Sequence, residues 1–370
     1  MRPLQILILV LQGSLAAEAA SWTLHGSCFK KEVFENGNPS KKITVDDKEL
    51  ENAILKGVED AKAWAAAAAS HIKDSLSKNP LKGRTVKTAL EPLLVKDDYN
   101  KAAGDVKSKF DNIATMKGPV GREGNENGRY EKSSAWAALK KSDDHHFNFI
   151  ITCRPDITWV PDRNELNPLP VPWDNVRQNQ LTNPHDFVNF LKEEEALGYW
   201  GKIDHNQVKV KAVTARDLNT PTGERLRIPE SINFHPLWIK FQRIRGFVDW
   251  TQETVNKVTA KTAPDAFQQL SKERKKGYSP SGWLASRLLR NRRFARVSIA
   301  YLTLQFFHLT SFGAMFDDMD LAYGWANNVK AKNRENPDLY SLIAAVIHLL
   351  YKEGTNYKVT AEGHVKVKAP

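Results

Sequence analysis

The residues with the most chemical potential lie close together in the last quarter of the chain. Phe306-Phe307-His308-Leu309-Thr310-Ser311-Phe312 ends a long amphipathic stretch, and Phe316-Asp317-Asp318-Met319-Asp320 follows it. Tyr323-Gly324 and Asn336-Pro337-Asp338-Leu339-Tyr340 come next. Asp317, Asp318 and Asp320 with His308 offer oxygen-rich ligation of a hard cation such as Ca²⁺. They lack the EF-hand spacing, and a helix-capping loop accounts for the same acids, which sit well near a helix N-terminus. His145 and His146 are adjacent in a strand-like run, so they face opposite sides and make a poor metal pair. His348 lies on the apolar face of a C-terminal helix and reads as a core residue. The sequence contains no G-x-S-x-G elbow, no H-E-x-x-H and no identifiable Cys-His dyad. The Gly-rich run 118–124 lacks the G-x-x-x-x-G-K-[ST] spacing of a phosphate loop.

The segment 300–349 resembles the aspzincins, the deuterolysin and peptidyl-Lys metalloendopeptidase family of secreted fungal-type enzymes. That family carries H-E-x-x-H on a helix, an Asp third ligand in a D-x-x-Y-G loop, and a later helix opening on an Asn-x-Asp-x-Tyr-like stretch. On this alignment Phe307 stands at the first His, His308 at the Glu, Ser311 at the second His and Asp320 at the Asp ligand. Tyr323 stands where the family places a tyrosine that helps hold the carbonyl oxyanion. The resemblance implies a mainly helical α+β, zincin-like metallopeptidase scaffold with a small β-sheet. Zinc is the family cofactor.

Those substitutions remove the chemistry. Two histidines four apart on one helix face present their imidazoles to one ion, and the Glu takes a proton from zinc-bound water. Phe307 has no donor lone pair, and Ser311 offers a neutral hydroxyl. Asp320 is the single matching ligand, whereas a catalytic zinc normally has three protein ligands. His308 is rotated ~100° around the helix from Phe307 and does not substitute for it. No metal or other cofactor is therefore expected, and Phe307 extends the apolar stripe. A non-standard ligand set drawn from His145, His146, His308, His348 and the 317–320 loop is the alternative, and would make the chain an active zinc endopeptidase.

These residues must be positioned by the rest of the chain. Residues 46–78 predict a helix, capped by Asp46 or Asp47 and carrying Leu50, Ile54, Val58, Ala61 and Ala65 at helical spacing. Further helices are predicted over 99–116, 186–198, 237–258, 280–312 and 338–352, and strands over 146–153 and 208–214. The Pro-rich span 155–235 reads as an irregular insertion in one domain covering 21–370, with Pro168–Trp173 extended.

The N-terminus has Arg2, an apolar run 4–11 and Ala17-Glu18-Ala19, which predict a signal peptide over 1–20 and a secreted protein. The apolar run is too short to span a bilayer. Cys28 and Cys153 are the two cysteines. An oxidising export route would pair them; two buried thiols are the alternative. The net charge is +11, with Arg287, Arg290, Arg292, Arg293 and Arg296 densest. This cluster reads as a solvated helix face or as an attraction to anionic surfaces such as glycans, and export argues against a specific nucleic-acid partner. The combined expectation is a secreted pseudopeptidase whose former groove engages a peptide or protein. A basic, surface-adhering protein is a further alternative.

Overall fold

The computed structural model describes residues 20–35, 41–79, 83–94, 98–119, 129–130, 149–154, 157–161, 170–176, 179–180, 212–216, 230–244, 246–247, 306–309, 312, 325–351, 357–361, 363 and 365–367. The expected helix at 186–198 and nearly all of the one at 280–312 lie outside these residues.

The longest element is helix α1, Lys48–Ser75. Asp47 caps it, its carboxylate accepting from Leu50 N–H at 3.4 Å, and Glu49 and Glu51 in the first turn complement the helix dipole. Its buried stripe, Leu50, Ile54, Val58, Ala61, Ala65, Ala68 and Ile72, follows the 3.6-residue period. The alanine run is split between core and solvent, with Ala65, Ala68 and Ala69 buried and Ala66 exposed. Helix α2, Arg84–Leu90, starts from Gly83 at φ +72°, where a Cβ would meet Ser75 N at 2.3 Å. Only glycine fits so close a backbone approach in the left-handed region. Helix α3, Tyr99–Ala114, buries Ala102, Ala103, Val106, Phe110 and Ile113, and its Tyr99 hydroxyl lies 3.0 Å from Ser75 Oγ.

A five-stranded sheet lies alongside, in the order β4-β1-β5-β10-β9. Its members are β1 (Trp22–His25), β4 (Arg129–Tyr130), β5 (Phe149–Thr152), β9 (Ala212–Ala215) and β10 (Glu230–Phe234). β9 is antiparallel to β10, and the other pairings are parallel. The register aligns Trp22 with Phe149, and Leu24 and Ile232 with Ile151, so these residues share one face. Together with Phe234 they join the helical side chains in one hydrophobic core.

The span 155–235, read from the sequence as an irregular insertion with one strand at 208–214 and an extended stretch over 168–173, holds five strands among its described residues. β6 (Ile157–Pro161), β7 (Pro170–Asp174) and β8 (Asn179–Gln180) form an antiparallel sheet of their own. β7 is paired with β8 only at Trp173 and Asp174, so Pro170 and Pro172 fall where one side carries no strand among the described residues. A residue without an N–H is tolerated there. β9 and β10 come from the same span and complete the main sheet, β10 pairing with β5.

Between β1 and α1 runs the hairpin of β2 (Lys30–Phe34) and β3 (Lys42–Asp46). Helix α4, Pro236–Ile244, opens with proline at its first position, where no N–H is needed. The sequence predicts this helix on to 258, of which 248–258 lie outside the described residues. Gly246 (φ +66°) and Phe247 (φ +48°) instead turn the chain left-handed, with Phe247 N–H closing on Gln242 O at 3.1 Å. In the last turn of α4, Arg243 reaches the buried Asp47 carboxylate through both terminal nitrogens, and Glu49 at 3.1 Å. The bond to Asp47 is the main reason this guanidinium holds its proton more tightly than usual.

The C-terminal part comprises α5 (Trp325–Ala331), α6 (Pro337–Tyr351) and a hairpin of β11 (Tyr357–Val359) and β12 (Val365–Val367). Trp325 Nε1–H donates to Ala361 O at 3.0 Å, which ties the hairpin to the start of α5. Among the described residues no helix is long and apolar enough to cross a membrane.

Candidate functional site

Residues 306–308 are helical. The chain then tightens, with Leu309 N–H on Phe306 O at 3.0 Å and Phe312 N–H on Leu309 O at 3.1 Å. Such i to i+3 bonds are typical of a helix end. Consecutive helical residues point about 100° apart, so Phe306 and Phe307 enter different parts of the core. Phe306 meets the sheet, 5.7 Å from Phe149 and 5.9 Å from Phe312 between ring centroids. Phe307 turns to the helical layer. It lies edge-on to Phe110 of α3 at 5.6 Å and tilted over Tyr340 of α6 at 4.3 Å. Neither phenylalanine has any exposed surface.

Tyr340 is held by the start of its own helix. Asn336 caps α6, its Oδ1 accepting from Asp338 N–H at 3.2 Å while Leu339 N–H bonds Asn336 O. Asn328 of α5 joins both residues, donating to Asp338 Oδ2 at 2.9 Å and accepting from Asn336 Nδ2 at 3.0 Å. All three side chains are buried, and a satisfied network of this kind fixes a single arrangement of α5 against α6. The Tyr340 hydroxyl donates to Arg334 O at 3.0 Å, and Lys109 Nζ sits 5.5 Å from the ring centroid. Burial, and then the nearby Glu335 charge, push the phenol well above its ordinary value, so it stays protonated at neutral pH.

The site residues named from the sequence are thus only partly brought together. Phe307 contacts Tyr340, and His308 is half-buried on the same turn. Ser311, Asp320 and Tyr323 lie outside the described residues. So do Asp317, Asp318, His145, His146 and the cluster Arg287, Arg290, Arg292, Arg293 and Arg296. His348 is partly buried on α6, its ring stacked on Trp64 of α1 at 4.5 Å. Zinc, the metal that the family resemblance implies, does not fit at position 307. Its side chain is a hydrocarbon enclosed by aromatic rings, and a divalent ion needs imidazole, thiolate or oxygen donors. Among the described residues no group of three or more His, Cys, Asp or Glu is placed to hold a metal ion.

A second polar constellation went unnoticed in the sequence. On the sheet face opposite the apolar one, the register aligns Thr152 with Asn233, and His25 continues the same row on β1. All three are buried, as are Thr23 and Ser231 one row below. Thr152 Oγ1 donates to Asn233 Oδ1 at 2.7 Å, and Asn233 Nδ2 donates to Ser231 Oγ at 2.9 Å and Val213 O at 3.3 Å. His25 Nδ1 accepts from Ser27 N–H at 3.4 Å and lies 3.0 Å from Ser27 Oγ. That oxygen accepts from Cys153 N–H at 3.0 Å and Arg154 N–H at 3.3 Å, which directs its own proton to the imidazole. The neutral ring therefore carries its hydrogen on Nε2. His235, just beyond β10, repeats the device, Nδ1 accepting from Leu237 N–H at 3.1 Å. The alternations Trp22-Thr23-Leu24-His25 and Ser231-Ile232-Asn233-Phe234-His235 were the signal that could have revealed this face.

The Cys28–Cys153 disulfide closes this end of the sheet, joining the turn after β1 to the residue after β5. No family model, no curated protein and no solved structure matches the sequence.

Proposed function

We propose that the chain is a secreted, catalytically inactive member of the aspzincin kind, a zincin-like, mainly helical α+β scaffold kept as a binding protein. The observation that carries the reading is Phe307. At the position corresponding to a zinc-binding imidazole stands a ring wholly enclosed by Phe110, Tyr340 and the surrounding core. A side chain so placed neither ligates an ion nor leaves room for a metal-bound water. The Cys28–Cys153 disulfide suits the oxidising route that the N-terminal leader implies. The proposed partner is a peptide or protein in the former substrate groove. The net charge of +11 adds a salt-sensitive attraction to anionic surfaces.

Metal analysis of the full-length secreted protein, paired with a cleavage assay on a Lys-rich peptide pool, tests the proposal. Substoichiometric zinc and an uncleaved pool are expected. Stoichiometric zinc with hydrolysis that a chelator abolishes would overturn the reading and install the active endopeptidase in its place.

A further inference from the structure

We draw no further inference here: the strongest candidate, the buried polar row of His25, Thr152 and Asn233 across the central sheet, has Thr152 and Asn233 bonded within the fold, and nothing among the described residues shows what covers the Nε2 edge of His25.

Discussion

Two buried constellations of this protein, the rings around Phe307 and the polar row across the sheet, are held by opposite means. Phe307, Phe110 and Tyr340 are kept together by area removed from water and by ring geometry. Burying one such side chain stabilises by about 1.5–3 kcal/mol, and nearly any close-packed neighbour will serve. Thr152, Asn233 and Ser231 gain only about 0.5–1.5 kcal/mol net per hydrogen bond, yet a lost partner leaves a buried group unsatisfied at about 1–3 kcal/mol. The aromatic site is therefore a filled volume, and the polar row is a set of mutual obligations.

The largest expected effect comes from emptying the filled volume. Phe307→Ala should lower the free energy of unfolding by about 3–5 kcal/mol, read from urea denaturation, while Phe307→Leu costs clearly less. Equal losses for the two would mean that the ring is not held as described. Removing the disulfide with a Cys28→Ala, Cys153→Ala double variant should cost about 2–4 kcal/mol and loosen the end of the sheet that carries His25. Hydrogen exchange would show it as lost protection in β1 and β5 with α3 little changed. Thr152→Val should cost about 1–3 kcal/mol despite its near-identical shape, since Asn233 loses its donor. Adding Asn233→Leu to it should give a non-additive cycle, and strict additivity would count against direct coupling.

The smallest effect is a pH dependence where α1 and α6 meet. His71 of α1 stacks on Tyr351 of α6 with centroids 3.4 Å apart. Burial lowers its pKa, and the Asp74 charge opposes this in part. The folded ring thus binds a proton less readily than the unfolded one, whose pKa is about 6.5. Its contribution is intact above that value and is lost as pH falls through it toward the lower folded pKa. His71→Phe keeps the stacked ring without the titration. The difference in urea midpoint between wild type and variant should then change between pH 7.5 and pH 5, in favour of the variant at acid pH. A pH-independent difference would rule His71 out as a titrating contributor.

Legibility in the sequence differed from element to element. The reading of 46–78 comes within three residues of α1 at either end, because the Asp cap and the apolar period are both local signals. The reading of 237–258 misses a break after α4, because Gly246 and Phe247 take left-handed backbone that no periodicity announces; 248–258 lie outside the described residues. Pro168–Trp173 reads as extended, as found over 170–173, but Pro170 and Pro172 obscured its pairing as a strand. Proline argues against a ladder unless it is known which side of the strand is unpaired, and that depends on β8 arriving from downstream. At the candidate site, the absence of ligating chemistry at Phe307 was plain from residue identity alone. Its partners Phe110 and Tyr340 were not, since they lie on helices distant in sequence.

By itself the sequence determined what each segment is able to do. It set the helical stripe of α1, the lack of a lone pair at position 307, the two cysteines available to pair, and the excess of positive charge. Tertiary structure decided which segments meet. It alone aligned His25, Thr152 and Asn233 in one row and set Tyr340 over Phe307, and it brought together the two cysteines the sequence expected to pair. The physical reason is range. Caps, periodicity and donor chemistry act within a few residues, whereas register and packing are chosen by the whole core at once.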